Sequence, residues 1–145
     1  MSGTQASYRR GWGVVLAGLG VNLLLGTLYA WGVMGKALVM QWGWSKTEAA
    51  LPFAVSTAVF AVMMVFAGRA QDKLGPRRVA TLGGLLFGLG VAASSLFTAP
   101  LPILLCFGAL GGAGIGLAYS ATTPAAVKWF PAARKGLITG VVVSG

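Results

Sequence analysis

Of the side chains most used for proton transfer and metal ligation, the sequence offers two acids, one cysteine and no histidine. General acid–base catalysis most often uses a positioned His or carboxylate. A metal site needs several His, Cys, Asp or Glu side chains at compatible spacing. Glu48 and Asp72 both lie outside the long apolar stretches, and Cys106 stands alone. The chain therefore reads as no enzyme, with no cofactor, no metal site and no disulfide framework. The remaining polar chemistry is of a different kind. Asn22, Tyr29 and Tyr119 sit within apolar runs, where a polar group is a functional candidate by default. Ser56, Thr57, Ser94, Ser95 and Thr122 are read instead as bonded back to their own helices.

The elements that must position these residues follow from charge spacing. The chain has 145 residues, 57% hydrophobic and 9% charged, against about 25% charged in an ordinary soluble domain. Residues 11–35, 49–68 and 79–127 carry no charge. A bilayer core takes roughly 20 apolar residues per helix, so this is a multi-spanning, all-α membrane protein. Pro100 and Pro102 divide the longest run in two. The expectation is a polar N-terminal tail over 1–10 and four helices at about 11–35, 48–69, 79–97 and 101–127. A fifth helix begins near residue 136 and continues to the last residue, so the chain reads as part of a longer protein. Ser45-Lys46-Thr47-Glu48 fits a capping box for the second helix, and Trp42 and Trp44 suit a membrane–water interface. Glycines crowd helices 1 and 4, which predicts that these two pack closely, by small-residue contact.

Loop charges give an orientation. Arg9, Arg10, Arg69, Lys73, Arg77, Arg78, Lys128, Arg134 and Lys135 fall on one side of a four-helix path, and only Lys36 and Lys46 on the other. The positive-inside rule places the N-terminus in the cytoplasm, in the inner or plasma membrane. The formal charge of +9 does not indicate nucleic acid, because the bases sit in short connectors and not on one folded face.

One connector carries more than topology. Gly68-Arg69-Ala70-Gln71-Asp72-Lys73-Leu74-Gly75-Pro76-Arg77-Arg78 has the pattern G-R-x-x-D-x-x-G-x-R-R after the second helix. It closely resembles the signature loop of the major facilitator superfamily, in spacing, charge and sidedness. Arg10-Gly11-Trp12-Gly13 resembles the start of helix 1 in the monocarboxylate transporters, with Arg10 where an acid is usual. Trp129-Phe130 through Arg134, Lys135 and Gly140 resembles the same family's approach to helix 5. Asn22-Leu23-x-x-Gly26-x-x-Tyr29-Ala30-Trp31 is similar to helix 1 of the oxalate:formate antiporters.

The resemblance implies the N-terminal helical bundle of a twelve-helix transporter whose C-terminal half lies outside this sequence. It implies a latch in which Gly68, Arg69, Asp72, Lys73, Gly75, Arg77 and Arg78 close the cytoplasmic gate against that second half. It also implies that helices 1 and 4 line a central cavity. On that basis Asn22, Leu28, Tyr29 and Tyr119 are the candidate substrate contacts, with Asn22 and Tyr29 sharing one face of helix 1. The implied activity is alternating-access transport of a small monocarboxylate such as lactate or pyruvate, with a proton as partner. An oxalate:formate-type exchanger is the alternative, and a non-transport membrane scaffold the reading from another class. No charged residue lies inside the apolar runs, so a cation for the carboxylate and any proton site are expected in the second half.

Overall fold

The computed structural model describes residues 2–145, with side chains from Arg10 onward. The polypeptide forms α1 (Ser2–Leu25), a 3₁₀ segment (Gly26–Ala30), α2 (Trp31–Trp42), α3 (Lys46–Leu74), α4 (Pro76–Ser94), α5 (Pro100–Ile103), a π-helical segment (Leu104–Gly111), α6 (Gly112–Val127), a 3₁₀ turn (Ala132–Arg134) and α7 (Lys135–Val143). Several of these are continuous. Residues 10–42 form one helical rod, and 100–127 another.

Three helices among the described residues are long and apolar enough to cross a membrane: Arg10–Trp42, Lys46–Leu74 and Pro100–Val127. The helix between the second and third of these, α4, has 19 residues, about 28 Å at 1.5 Å per residue, and gives its first turn to Pro76, Arg77 and Arg78.

Helix ends differ from the charge-based reading for identifiable reasons. The stretch read as a tail over 1–10 is helical from Ser2, because no proline interrupts it and extension of an existing helix costs little. The first helix does not stop at residue 35. Lys36 is no helix breaker, and the chain turns only at Gly43, whose φ of 69° is left-handed. Helix 3 begins at Pro76 and ends at Ser94, not at 79 and 97, with Ser94 and Ser95 bonded back to Val91 and Ala92.

The second helix runs to Leu74, five residues beyond the predicted end at Arg69. Charge does not end a helix; Gly75 does. Its φ of 83° is forbidden to most side chains, its N–H bonds Gln71 O at 2.9 Å, and Pro76 follows as a pre-organised first residue of α4. At the other end the capping box is formed. Glu48 N donates to Ser45 Oγ at 3.2 Å, and Ser45 N donates to Glu48 Oε2 at 2.8 Å. Trp42 is half-exposed as an interfacial residue would be. Trp44 is buried, and its Nε1 donates to Thr98 O at 3.1 Å, so it ties two connectors together.

Glycine packing is real but has a different address from the expected one. A Cβ on Gly112 would lie 2.5 Å from Ser56 O on α3, and one on Gly114 would lie 2.6 Å from Gly83 O on α4. Helix 4 is thus clasped between α3 and α4, where its backbone touches theirs. Helix 1 meets it more loosely: a Cβ on Gly18 would lie 3.7 Å from Thr122 Cβ and 3.2 Å from Val142 Cγ1 on α7.

Candidate functional site

The three polar candidates of the apolar runs go to three separate places. Asn22 is only 4% exposed. Its Nδ2 donates to Val142 O at 2.6 Å and so joins α1 to α7, while Oδ1 is buried without a partner among the described residues. Tyr29 is 82% exposed. The expectation that these two share a face fails because the helix changes pitch between them. Residues 26–30 are 3₁₀, with 3.0 residues per turn against 3.6, and by Tyr29, the fourth of them, that difference accumulates to about 80°. Leu28, the intended apolar wall, turns inward instead and is buried with Trp31, Phe107, Ile115 and Ala118.

Tyr119 lies midway along α6, half-buried, with its ring edge-on to Phe60 of α3 at 5.8 Å between centroids. Its hydroxyl has no hydrogen bond among the described residues. The serine and threonine reading holds for Thr57, Thr122, Ser94 and Ser95, each bonded to a carbonyl of its own helix. Ser56 is the exception: it is fully buried at the Gly112 contact, and its Oγ is unpartnered.

Tyr29 opens onto a groove of about 660 Å³ between the second half of helix 1 and the start of α3. Trp31, Met40 and Phe53 form apolar walls, and Lys36 and Lys46 are the cations that line it. Such a surface suits a small solute with an apolar body and a negative end. The floor is fixed by an arrangement that sequence patterns did not reveal. Trp31 Nε1 donates to Ala49 O at 2.7 Å, and its indole stacks on Phe107 with centroids 4.4 Å apart and planes 23° apart. Each ring sits in or beside an irregular piece of backbone: Trp31 directly follows the 3₁₀ segment, and Phe107 lies in the π-helical one. Departures of this kind often mark functional positions in helices.

The signature connector is built as the end of one helix and the start of the next. Arg69, Asp72 and Lys73 occupy the last turns of α3, all exposed, and Arg77 and Arg78 the first turn of α4. Arg69 and Asp72 are three apart on continuous helix, yet neither has an ion-pair partner among the described residues. Arg69 and Lys73 complement the negative end of the α3 dipole; Asp72 opposes it. An acid held there gains from a positive group brought to it from elsewhere. A Cβ on Gly68 would meet nothing within 4 Å, so this glycine leaves a bare strip of backbone beside the same turn. Arg134 and Lys135, at the start of α7, are exposed.

Known proteins agree on where this chain belongs. The family model for the Major Facilitator Superfamily matches residues 10–145. The chain is 29% identical over 187 residues to Apicoplast pyruvate carrier 1 of Toxoplasma gondii, covering 99% of this chain and 34% of that protein. It is 29% identical over 132 residues to the oxalate:formate antiporter of Oxalobacter formigenes, covering 91% and 31% respectively. It is 28% identical over 136 residues to Monocarboxylate transporter 13 of Rattus norvegicus, covering 93% and 32%. The chain spans about a third of the length of the curated relatives it matches.

Proposed function

The chain belongs to the Major Facilitator Superfamily of membrane transporters, and from that premise we propose that it serves proton-coupled transport of a small monocarboxylate, lactate or pyruvate in type, by alternating access. The observation that carries the reading is the groove beside Tyr29. It offers a phenol O–H donor, an aromatic floor and two lysines, which together suit a short apolar tail with one carboxylate. Two relatives are named for pyruvate and for monocarboxylates. The whole protein carries the activity, with a second bundle facing this one. Tyr29 and Tyr119 contact the solute in this reading. Leu28 shapes the site from behind, through Trp31, and Asn22 holds helix 1 to α7 so that helix 1 moves with the bundle.

In this reading Asp72 is the gate acid, presented to the second bundle by Gly68, Arg69, Lys73, Gly75, Arg77 and Arg78. Its lack of an ion-pair partner among the described residues, at the negative end of a helix dipole, supports that role. The N-terminus lies in the cytoplasm and the protein in the cytoplasmic membrane, as the loop charges suggest. A second reading, exchange of organic anions, draws on the relative named for oxalate and formate.

The test is uptake of labelled L-lactate by the whole protein in proteoliposomes, with and without an inward proton gradient. The expected result is gradient-driven accumulation that Tyr29→Phe and Tyr119→Phe each weaken. Uptake that ignores the gradient and requires an internal carboxylate establishes the exchanger. No carboxylate movement under either condition overturns the substrate assignment.

A further inference from the structure

At the Arg10 end of the bundle, α1 and the connection from α6 to α7 come into direct contact. A Cβ on Gly11 would lie 3.0 Å from Trp129 Cβ and 3.3 Å from the Phe130 ring. Trp12 stands edge-on to Phe130, with centroids 5.7 Å apart. This contact brings together two stretches of chain more than a hundred residues apart, and each carries cations. Arg10 precedes Gly11, Lys128 precedes Trp129, and Arg134 and Lys135 follow the turn. All four are exposed, and none has an ion-pair partner among the described residues. Neither acid of the chain lies on α1, α6 or α7.

Like charges gathered without a counter-charge repel one another, so the cluster favours an anion. Its surroundings say which kind. Trp12 and Trp129 are half-exposed indoles, and Leu137, on the first turn of α7, is exposed. Arg10 and Lys128 mark the ends of apolar runs, so the cations stand at the depth where apolar surface gives way to water. Indoles and bases at that depth are how proteins meet lipid headgroups. A soluble anion has no use for the apolar side of such a site.

We propose that Arg10, Lys128, Arg134 and Lys135 form a binding site for the phosphate of an anionic phospholipid in the adjoining leaflet, with Trp12, Trp129 and Leu137 against its acyl chains. The site holds helix 1 to the start of α7 from the membrane side. It does not depend on which solute the protein carries.

The experiment is native mass spectrometry of the purified protein released from micelles containing equal phosphatidylglycerol and phosphatidylcholine. Phosphatidylglycerol adducts should exceed phosphatidylcholine adducts, and Arg10→Gln/Lys128→Gln/Arg134→Gln/Lys135→Gln should lower their occupancy about tenfold. A matched variant, Arg69→Gln/Lys73→Gln/Arg77→Gln/Arg78→Gln, removes the same formal charge from the other connector and should change it less than about twofold. If the first variant does not fold, Lys128→Gln/Lys135→Gln replaces it, with an expected loss of about threefold. Equal losses from both connectors overturn the proposal in favour of net charge alone. No preference for phosphatidylglycerol, or no loss from the rim variant, overturns it outright. Displacement of the lipid by millimolar inorganic phosphate overturns it in favour of a soluble-anion site.

Discussion

Helix 4 and helix 1 face the same bundle and treat it in opposite ways. The stretch from 100 to 127 is enclosed by α3 and α4, and its glycines let backbone lie on backbone. The stretch from 26 to 42 is covered on one side only, and its other side is the open groove with Tyr29 at its edge. A Cβ on Gly32 would meet nothing within 4 Å, whereas one on Gly112 would strike the backbone of Ser56. The first segment is a fixed post and the second a half-covered arm. If the groove beside Tyr29 is the solute's side, that division places rigidity behind the solute and freedom beside it.

The sharpest way to break the comparison is to enlarge both kinds of glycine. Gly112→Leu should lower stability by about 3 kcal/mol or more, because carbonyl and Cα atoms cannot give way as a side-chain tip can. Gly32→Leu should be near neutral, within about 1 kcal/mol, since open space and better helix propensity meet it. Thermal midpoints of the two variants in one detergent check this. Similar losses at both positions would mean that the arm is as tightly held as the post.

The stacked pair at the joint comes next. Trp31→Ala removes the Phe107 stack, the bond to Ala49 O and a buried indole, and should cost about 3 kcal/mol. Trp31→Phe keeps most of the apolar contact and loses the hydrogen bond, for about 1 kcal/mol. The two costs together, read from the same thermal assay, tell whether packing or the polar pin fixes the groove floor. A larger loss from the Phe variant than from the Ala variant would sink that account.

What could be read from the sequence divides along the same line. Charge-free runs located the long helices, and Ser45 with Glu48 located a cap, because both are local matters of period and hydrogen bonding. The ends of helices at 42 and 74 are not legible in the charges, because charge is no stop and only Gly43 and Gly75-Pro76 provide one. The polar candidates are legible as residues of apolar runs, but their relative placement is not. Asn22 and Tyr29 separate because a 3₁₀ turn rotates one against the other, and no residue from Gly26 to Ala30 announces a change of pitch. The Trp31–Phe107 stack joins positions 76 apart in sequence, and only the packed bundle brings them together.

A smaller loss tests the seam that holds the arm to α7. Asn22→Leu removes the bond to Val142 O together with the unpartnered Oδ1, so the two effects offset. Interhelical bonds inside membranes contribute about 0.6–2 kcal/mol, and the net loss should fall at the lower end of that range. Asn22→Asp, which places a charge at the same buried spot, should cost more than Asn22→Leu in the same thermal assay. The reverse order would show that the seam is open to water.

Tyr29→Phe should change stability least of all, by less than about 0.5 kcal/mol, because an exposed hydroxyl with no bond among the described residues gives the fold nothing to lose. If the arm is the solute's side of the bundle, that same hydroxyl matters to transport. Losing one donor to a carboxylate should raise the KM for lactate uptake about tenfold, the cost of a hydrogen bond to a charged group. Phe60→Leu, which removes the ring packed against Tyr119 on the post, should show the opposite pattern, with a measurable loss of stability from the missing aromatic contact. A Tyr29→Phe protein with unchanged stability and unchanged KM would leave the arm without a part in binding, and Tyr119 would then be the remaining phenol to meet the solute.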